Sequence, residues 1–124
     1  MNTEDLKLCK AFAKLDGVSE FEMHRGYMYA KHPKGDLSIN GTQHRVYNPL
    51  VGELQLNARD KYGVTVEHLS QFDRGVGGTG SYNIPFVRVR LVNSWVNTPS
   101  GKTESLDISR AVLKCILYSR GVEI

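Results

Sequence analysis

Two hydrophobic periods coexist in this chain, and together they restrict its fold more than any other sequence feature. Near the C-terminus Ile108, Ala111, Val112, Cys115 and Ile116 return at helical spacing, whereas Val87, Val89 and Leu91 alternate residue by residue. The first period paints one apolar stripe on a helix, the second one apolar face on a strand. A chain with both must bury helix stripes against a sheet face, so an α+β layered architecture is expected.

Two further helices follow the same logic. Leu8, Cys9, Phe12 and Leu15 form a stripe between Thr3 and Leu15, with Asn2 or Thr3 as N-cap and Asp16-Gly17 as the stop. Asn48-Pro49 marks another helix start, because the Asn side chain accepts from free amides and Pro is tolerated where no donor is required. Leu50, Val51, Leu54, Ala58 and Tyr62 make its apolar face, Glu53, Arg59, Asp60 and Lys61 face solvent, and Gly63 ends it. The C-terminal helix takes Thr103 or Ser105 as cap, carries Arg120 near its end and stops at Gly121.

Between the helices the signals are those of strands. Phe21, Met23, Tyr27 and Tyr29 share one parity, as one strand or two bent at Gly26, and their common face is expected to be buried. The segment 32–46 lacks a sustained period and reads as an irregular connection or a weak hairpin. Val64 and Val66 begin a strand. After a Gly-rich loop from Asp73 to Gly80, a longer strand is expected from Ile84 to about Val96, with Val87, Val89, Leu91 and Trp95 on one parity. The sum is one domain over residues 1–124: an antiparallel β-sheet with helices packed on it, α/β/α sandwich-like.

At 124 residues the chain is long enough for a core without disulfides or a structural metal. Its 40% hydrophobic and 23% charged residues are ordinary globular usage. Cys9 and Cys115 fall on helix stripes and read as reduced core residues. The formal charge of +3 and an isoelectric point near 8.9 favour anionic partners, and nucleic acid is allowed but not indicated. The acidic start and the lack of a long apolar run lead to the expectation of a cytoplasmic protein with no membrane association.

Several local signals combine into a resemblance. The helix closing on Leu15-Asp16-Gly17, the Tyr47-Asn48-Pro49 entry, the Tyr62-Gly63-Val64 exit, and the ending Ser109-Arg110-Ala111-Val112-Leu113 through Gly121-Val122-Glu123-Ile124 resemble small bacteriophage proteins of the phage ABA-sandwich domain type. The resemblance implies a phage or prophage origin, the cytoplasm of a bacterial host and an α/β/α arrangement. It carries over no catalytic residue. The segment 32–46 and the Gly-rich loop are both longer than that pattern.

Candidate chemistry concentrates in the second half. In the Gly-rich stretch taken from Arg74 to Tyr82, Arg74, Thr79, Ser81 and Tyr82 can bind phosphate, hydroxyl or base, since glycines let backbone amides approach a ligand; the competing reading is a hairpin connection. The loop is not a P-loop, because no Gly-Lys-Ser/Thr follows. Arg88 and Arg90 project opposite the apolar parity, where guanidiniums make bidentate bonds to phosphate or carboxylate, or simply line a solvated face. Trp95 and Tyr82 can stack on a base, whereas Tyr27 and Tyr29 read as core. The histidines at 24, 32, 44 and 68 lack metal-ligand spacing, and no cofactor is expected. No nucleophile elbow is present, and the carboxylate pairs Glu20/Glu22 and Glu4/Asp5 read as solvated.

The leading functional expectation is a non-enzymatic phage accessory protein that sequesters a small anionic ligand, such as a nucleotide used as an immune signal, in a site completed by a homo-oligomer. An interaction module binding a host protein or nucleic acid through the Arg88/Arg90 face or an open sheet edge is the alternative. A small hydrolase or nuclease assembled from distant residues ranks third.

Overall fold

The computed structural model describes residues 1–18, 20–74, 81–99 and 104–124, with the backbone alone along 71–74, 81–84 and 104–105. Its elements run α1 (Thr3–Leu15), β1 (Phe21–His24), β2 (Tyr27–Lys31), β3 (Leu37–Ile39), β4 (Thr42–Val46), α2 (Gly52–Tyr62), β5 (Thr65–Arg74), β6 (Ser81–Leu91), β7 (Ser94–Pro99) and α3 (Glu104–Ser119). The α+β class and the antiparallel pairing hold, and the strands divide into two sheets, β1-β2-β4-β3 and β5-β6-β7.

α1 begins where Asn2 Oδ1 accepts from the Asp5 amide at 2.7 Å and stops at Gly17, whose φ of +81° is costly for any residue with a Cβ. α2 starts later than Asn48-Pro49 suggests. Asn48 Oδ1 accepts from Leu50 N at 3.1 Å and so closes a turn, and the helix opens after Val51 without a side-chain cap. Buried Gln55 donates to the Pro49 carbonyl at 2.7 Å, which ties that turn to the helix it precedes. Gly63 ends α2 in the left-handed conformation, as its position predicts. The expected caps of α3 cannot both be followed: Thr103 lies outside the described residues, and Ser105 falls inside the helix.

Two-residue turns govern both sheets. Arg25-Gly26 and Asn40-Gly41 both have positive φ at each residue, the pattern of the hairpin turns that match strand twist. Segment 32–46 is therefore a real hairpin, with Ile39 opposite Thr42 and Leu37 opposite His44. The stretch leading into β3 lies close against β4: a Cβ at Gly35 would collide with the His44 backbone. A two-residue turn also reverses parity, because residues flanking it become partners on one face. Phe21 thus pairs with Ala30 and Met23 with Met28, and Met28 is the buried residue. The shared burial expected for Phe21, Met23, Tyr27 and Tyr29 is corrected accordingly, as Tyr27 is 56% exposed and Tyr29 stacks edge-on with His24.

The same effect divides the long strand expected from Ile84 to Val96. The chain reverses at Val92-Asn93, Leu91 pairs with Ser94, and Val89 pairs with Val96. Val66, Val87, Val89, Leu91 and Val96 pack into the core, where β6 and β7 meet α3. Trp95 instead pairs with Arg90 and leaves the parity of Val87.

α3 is buried on most of its circumference, at Ile108, Ser109, Ala111, Val112, Leu113, Cys115, Ile116 and Leu117. It contacts β6 and β7 and also α1 and α2. Cys115 Sγ donates to the Ser94 carbonyl at 3.4 Å, and Cys9 is likewise buried, its thiol pushed up to about 12 by burial. Both cysteines are free.

The solvated position that the sequence suggests for Asp5 is corrected by the structure. Asp5 is 7% exposed and accepts two bonds from Arg110, Nε to Oδ1 at 2.8 Å and Nη2 to Oδ2 at 3.0 Å, while Nη1 of the same arginine reaches Asp107 at 3.0 Å. This fork fastens α1 to α3 across 105 residues of sequence. The Arg110 guanidinium holds the Asp5 carboxyl below its ordinary range. Its stabilisation is therefore complete above the unfolded carboxylate value of about 3.9 and is lost as pH falls through the folded value. Arg110→Ala should cost about 2–3 kcal/mol at neutral pH, since it strands a buried carboxylate. Urea unfolding at pH 7 and pH 3 checks this: the gap between wild type and Arg110→Ala should shrink at pH 3, whereas an equal gap would mean that the arginine acts by packing alone.

Candidate ligand-binding face

The three-stranded sheet turns one face to α3, and its other face is built in cross-strand rows. Thr65, Arg90 and Trp95 form one row, Glu67, Arg88 and Asn97 the next, and Leu69, Phe86 and Pro99 the third. Residues opposite each other in such rows stand close enough for their side chains to touch. Antiparallel sheets commonly present a solvated face of this kind, but solvation alone does not account for a Trp there.

Trp95 is 65% exposed. Arg90 Nη2 bonds Glu67 Oε1 at 2.9 Å across the sheet, with 57% of the arginine side chain still open. Arg88 Nε donates to Asn97 Oδ1 at 3.1 Å, and its guanidinium carbon lies 5.8 Å from the centre of the Phe86 ring. These contacts fix the directions of both guanidiniums without filling their capacity, since each carries five N–H donors. Exposed pairs such as Arg90–Glu67 are worth at most about 1 kcal/mol, so an incoming anion can take donors from them cheaply. Beside the third row lies an open hollow of about 550 Å³, lined in part by Phe86, Arg88, Asn97 and Pro99.

The seven residues singled out from sequence are therefore only partly brought together. Arg88, Arg90 and Trp95 share this face. Arg74 pairs with Ser81 and Tyr82 with Asp73 at the far end of the β5-β6 hairpin, where the backbone alone is described, and Thr79 lies outside the described residues. Tyr82 and Arg88 stand six positions apart, about 20 Å along a strand. Phe86, Glu67 and Asn97 were not singled out from sequence. Asn97 would have been found by reading Val92-Asn93 as a two-residue turn, which places it opposite Arg88.

Among the described residues no group of three or more His, Cys, Asp or Glu side chains can hold a metal ion, and no helix is long and apolar enough to cross a membrane. No family model matches the chain, and neither does any curated protein or solved structure.

Trp95 is the chain's single tryptophan, so its fluorescence reports on this face alone. Its emission should sit at the wavelength of a solvated indole and be readily quenched by acrylamide. Trp95→Ala should change stability by no more than about 0.5 kcal/mol, as expected for an exposed side chain. A blue-shifted, protected emission in the purified protein would instead mean that a second copy covers the face.

Proposed function

We propose that the outer face of the β5-β6-β7 sheet binds a small anionic ligand with an aromatic ring, a nucleotide, and holds it without turnover. One observation carries this reading: an exposed indole stands directly across the strands from Arg90, with Arg88 two residues along the same face. An indole offers its π-face to a base, and guanidiniums offer paired donors to phosphate.

Magnitudes favour a site shared between copies. One base stack contributes about 1–3 kcal/mol and a hydrogen bond to a charged group about 1.5–3 kcal/mol, while association itself costs at least about 4 kcal/mol. A single open face therefore yields weak binding, and a second copy that closes over the bound ligand, leaving the indole solvated in the free protein, doubles the contacts. The resemblance to small phage proteins adds a role for such an oligomer, removal of a nucleotide immune signal inside a bacterial host, for which affinity and copy number suffice.

A second reading uses the same residues on an extended partner. The face is open along its length rather than enclosed, which suits single-stranded nucleic acid laid across the rows. Tryptophan fluorescence titrated with mononucleotides, cyclic dinucleotides, ADP-ribose and oligothymidylate separates the two. Saturable quenching by one nucleotide class, with the intact ligand retained on an oligomer in native mass spectrometry and at least tenfold weakening in Arg90→Ala, supports the first. Quenching that strengthens with oligonucleotide length and falls steeply with salt supports the second. Unchanged fluorescence throughout overturns both.

A further inference from the structure

Each sheet ends in two edge strands, and one of these edges is long and unguarded. β1 and β3 have four and three residues, and β7 has six and ends on Pro99. β5 runs ten residues, Thr65–Arg74, and pairs one-to-one with β6 along all of them, without a bulge. It carries no Lys and no Pro, residues that natural proteins place on a strand edge to keep it from pairing. Its Glu67 is already engaged across the sheet by Arg90. Among the described residues no other element packs along the outer edge of β5, and no backbone-to-backbone hydrogen bond leaves that edge. Every second residue of β5 therefore turns its amide and carbonyl outward, and such a row is a template for another strand.

The order of residues along β5 selects the occupant. Two copies joined edge to edge by a two-fold axis keep the same sheet face on the same side, so each residue opposes one of its own parity in the other copy. An axis at Ser70 sets Glu67 against Asp73, like charges directly opposite each other. An axis at Gln71 sets Leu69 against Asp73, and one at His68 sets Glu67 against Leu69. An axis at Leu69 avoids all three conflicts: Thr65 opposes Asp73, Val66 opposes Phe72, Glu67 opposes Gln71 and His68 opposes Ser70. Leu69 then meets its own copy, and the apolar row of Leu69, Phe86 and Pro99 continues across the axis into the same row of the second chain. Leu69 is only half-buried in the single chain and gains apolar cover by this pairing.

We infer that β5 is a self-pairing edge, at which two copies of this chain join antiparallel about Leu69 into one six-stranded sheet, β7-β6-β5-β5-β6-β7. The contact leaves Trp95, two strands away on β7, in solvent, and it does not rest on the ligand proposed for the face.

Cross-linking tests the register directly. Antiparallel partners stand about 4.5–5.5 Å apart at Cα, inside disulfide range, and the native Cys9 and Cys115 are buried out of reach. The full chain should sediment as a monomer–dimer equilibrium with Kd on the order of 10 μM. In a glutathione redox buffer Leu69→Cys should form a disulfide-linked dimer at least tenfold faster than Ser70→Cys, which the axis sets against His68. Leu69→Lys, which puts two ammonium groups at the axis, should weaken dimerisation at least tenfold and melt as wild type does. If Leu69→Lys melts early, the cysteine comparison decides alone. A chain that stays monomeric up to about 200 μM overturns the inference and leaves the edge to a strand of another protein. Equal cross-linking of the two cysteine variants, or wild-type dimerisation in a folded Leu69→Lys, also overturns it. So does a dimer with protected indole emission that Leu69→Cys fails to lock, because its contact would run through the sheet face.

Discussion

The burial of α3 is the constraint on which the other elements depend. A helix with a single apolar stripe needs one partner layer, but α3 buries residues around most of its circumference and so must be enclosed. The β5-β6-β7 sheet covers it through Val87, Val89 and Val96, and α1 and α2 meet it as well. The two ends of the chain become neighbours through this arrangement, and the Asp5–Arg110 fork secures them. Removing water from Val87 and Val89 alone contributes about 3–6 kcal/mol, a large part of the stability of a domain this size. The inner sheet face is thereby committed to packing, and functional freedom is left to the outer one.

That division explains why the arginines stand where they do. On β6 Val87, Val89 and Leu91 enter the core, so Arg88 and Arg90 between them point to the other face, and the β6-β7 turn returns Trp95 and Asn97 to the same side. A guanidinium held by a neighbouring amide and an aromatic ring loses less freedom on meeting a ligand than one on a free stem. The Asn97 bond and the Phe86 ring do this for Arg88, and the Glu67 carboxylate does it for Arg90.

The helices were legible because their signals are local. Asn2 as a cap, Gly63 as a left-handed stop, the buried cysteines and the apolar stripes all follow from spacing within one element. The face of a hairpin is not local in this way. Parity along the chain survives only while the strand continues, and a two-residue turn exchanges odd for even. Ignoring that turn misplaced the Tyr27/Tyr29 face and Trp95 by the same mechanism. The Asn40-Gly41 pair carries the usual hairpin signature and was diluted by its polar surroundings. Asp5 illustrates a different limit: its partner lies on the last helix, so no local reading separates it from the exposed Glu4 beside it.

The joint between α1 and α2 draws on different physics from the sheet face. The face works by exposed charge and stacking, which salt screens. The joint works by packing and one shared carboxylate: Asp16 at the end of α1 holds both Lys61 and Tyr62 of α2, while Tyr62 also packs edge-on against Phe12 at 5.8 Å. Coupling between this joint and the sheet face would require α3, which contacts both layers, to have two positions, and its close packing around most of its circumference opposes that. Binding at the face is therefore expected to leave the joint between α1 and α2 unchanged.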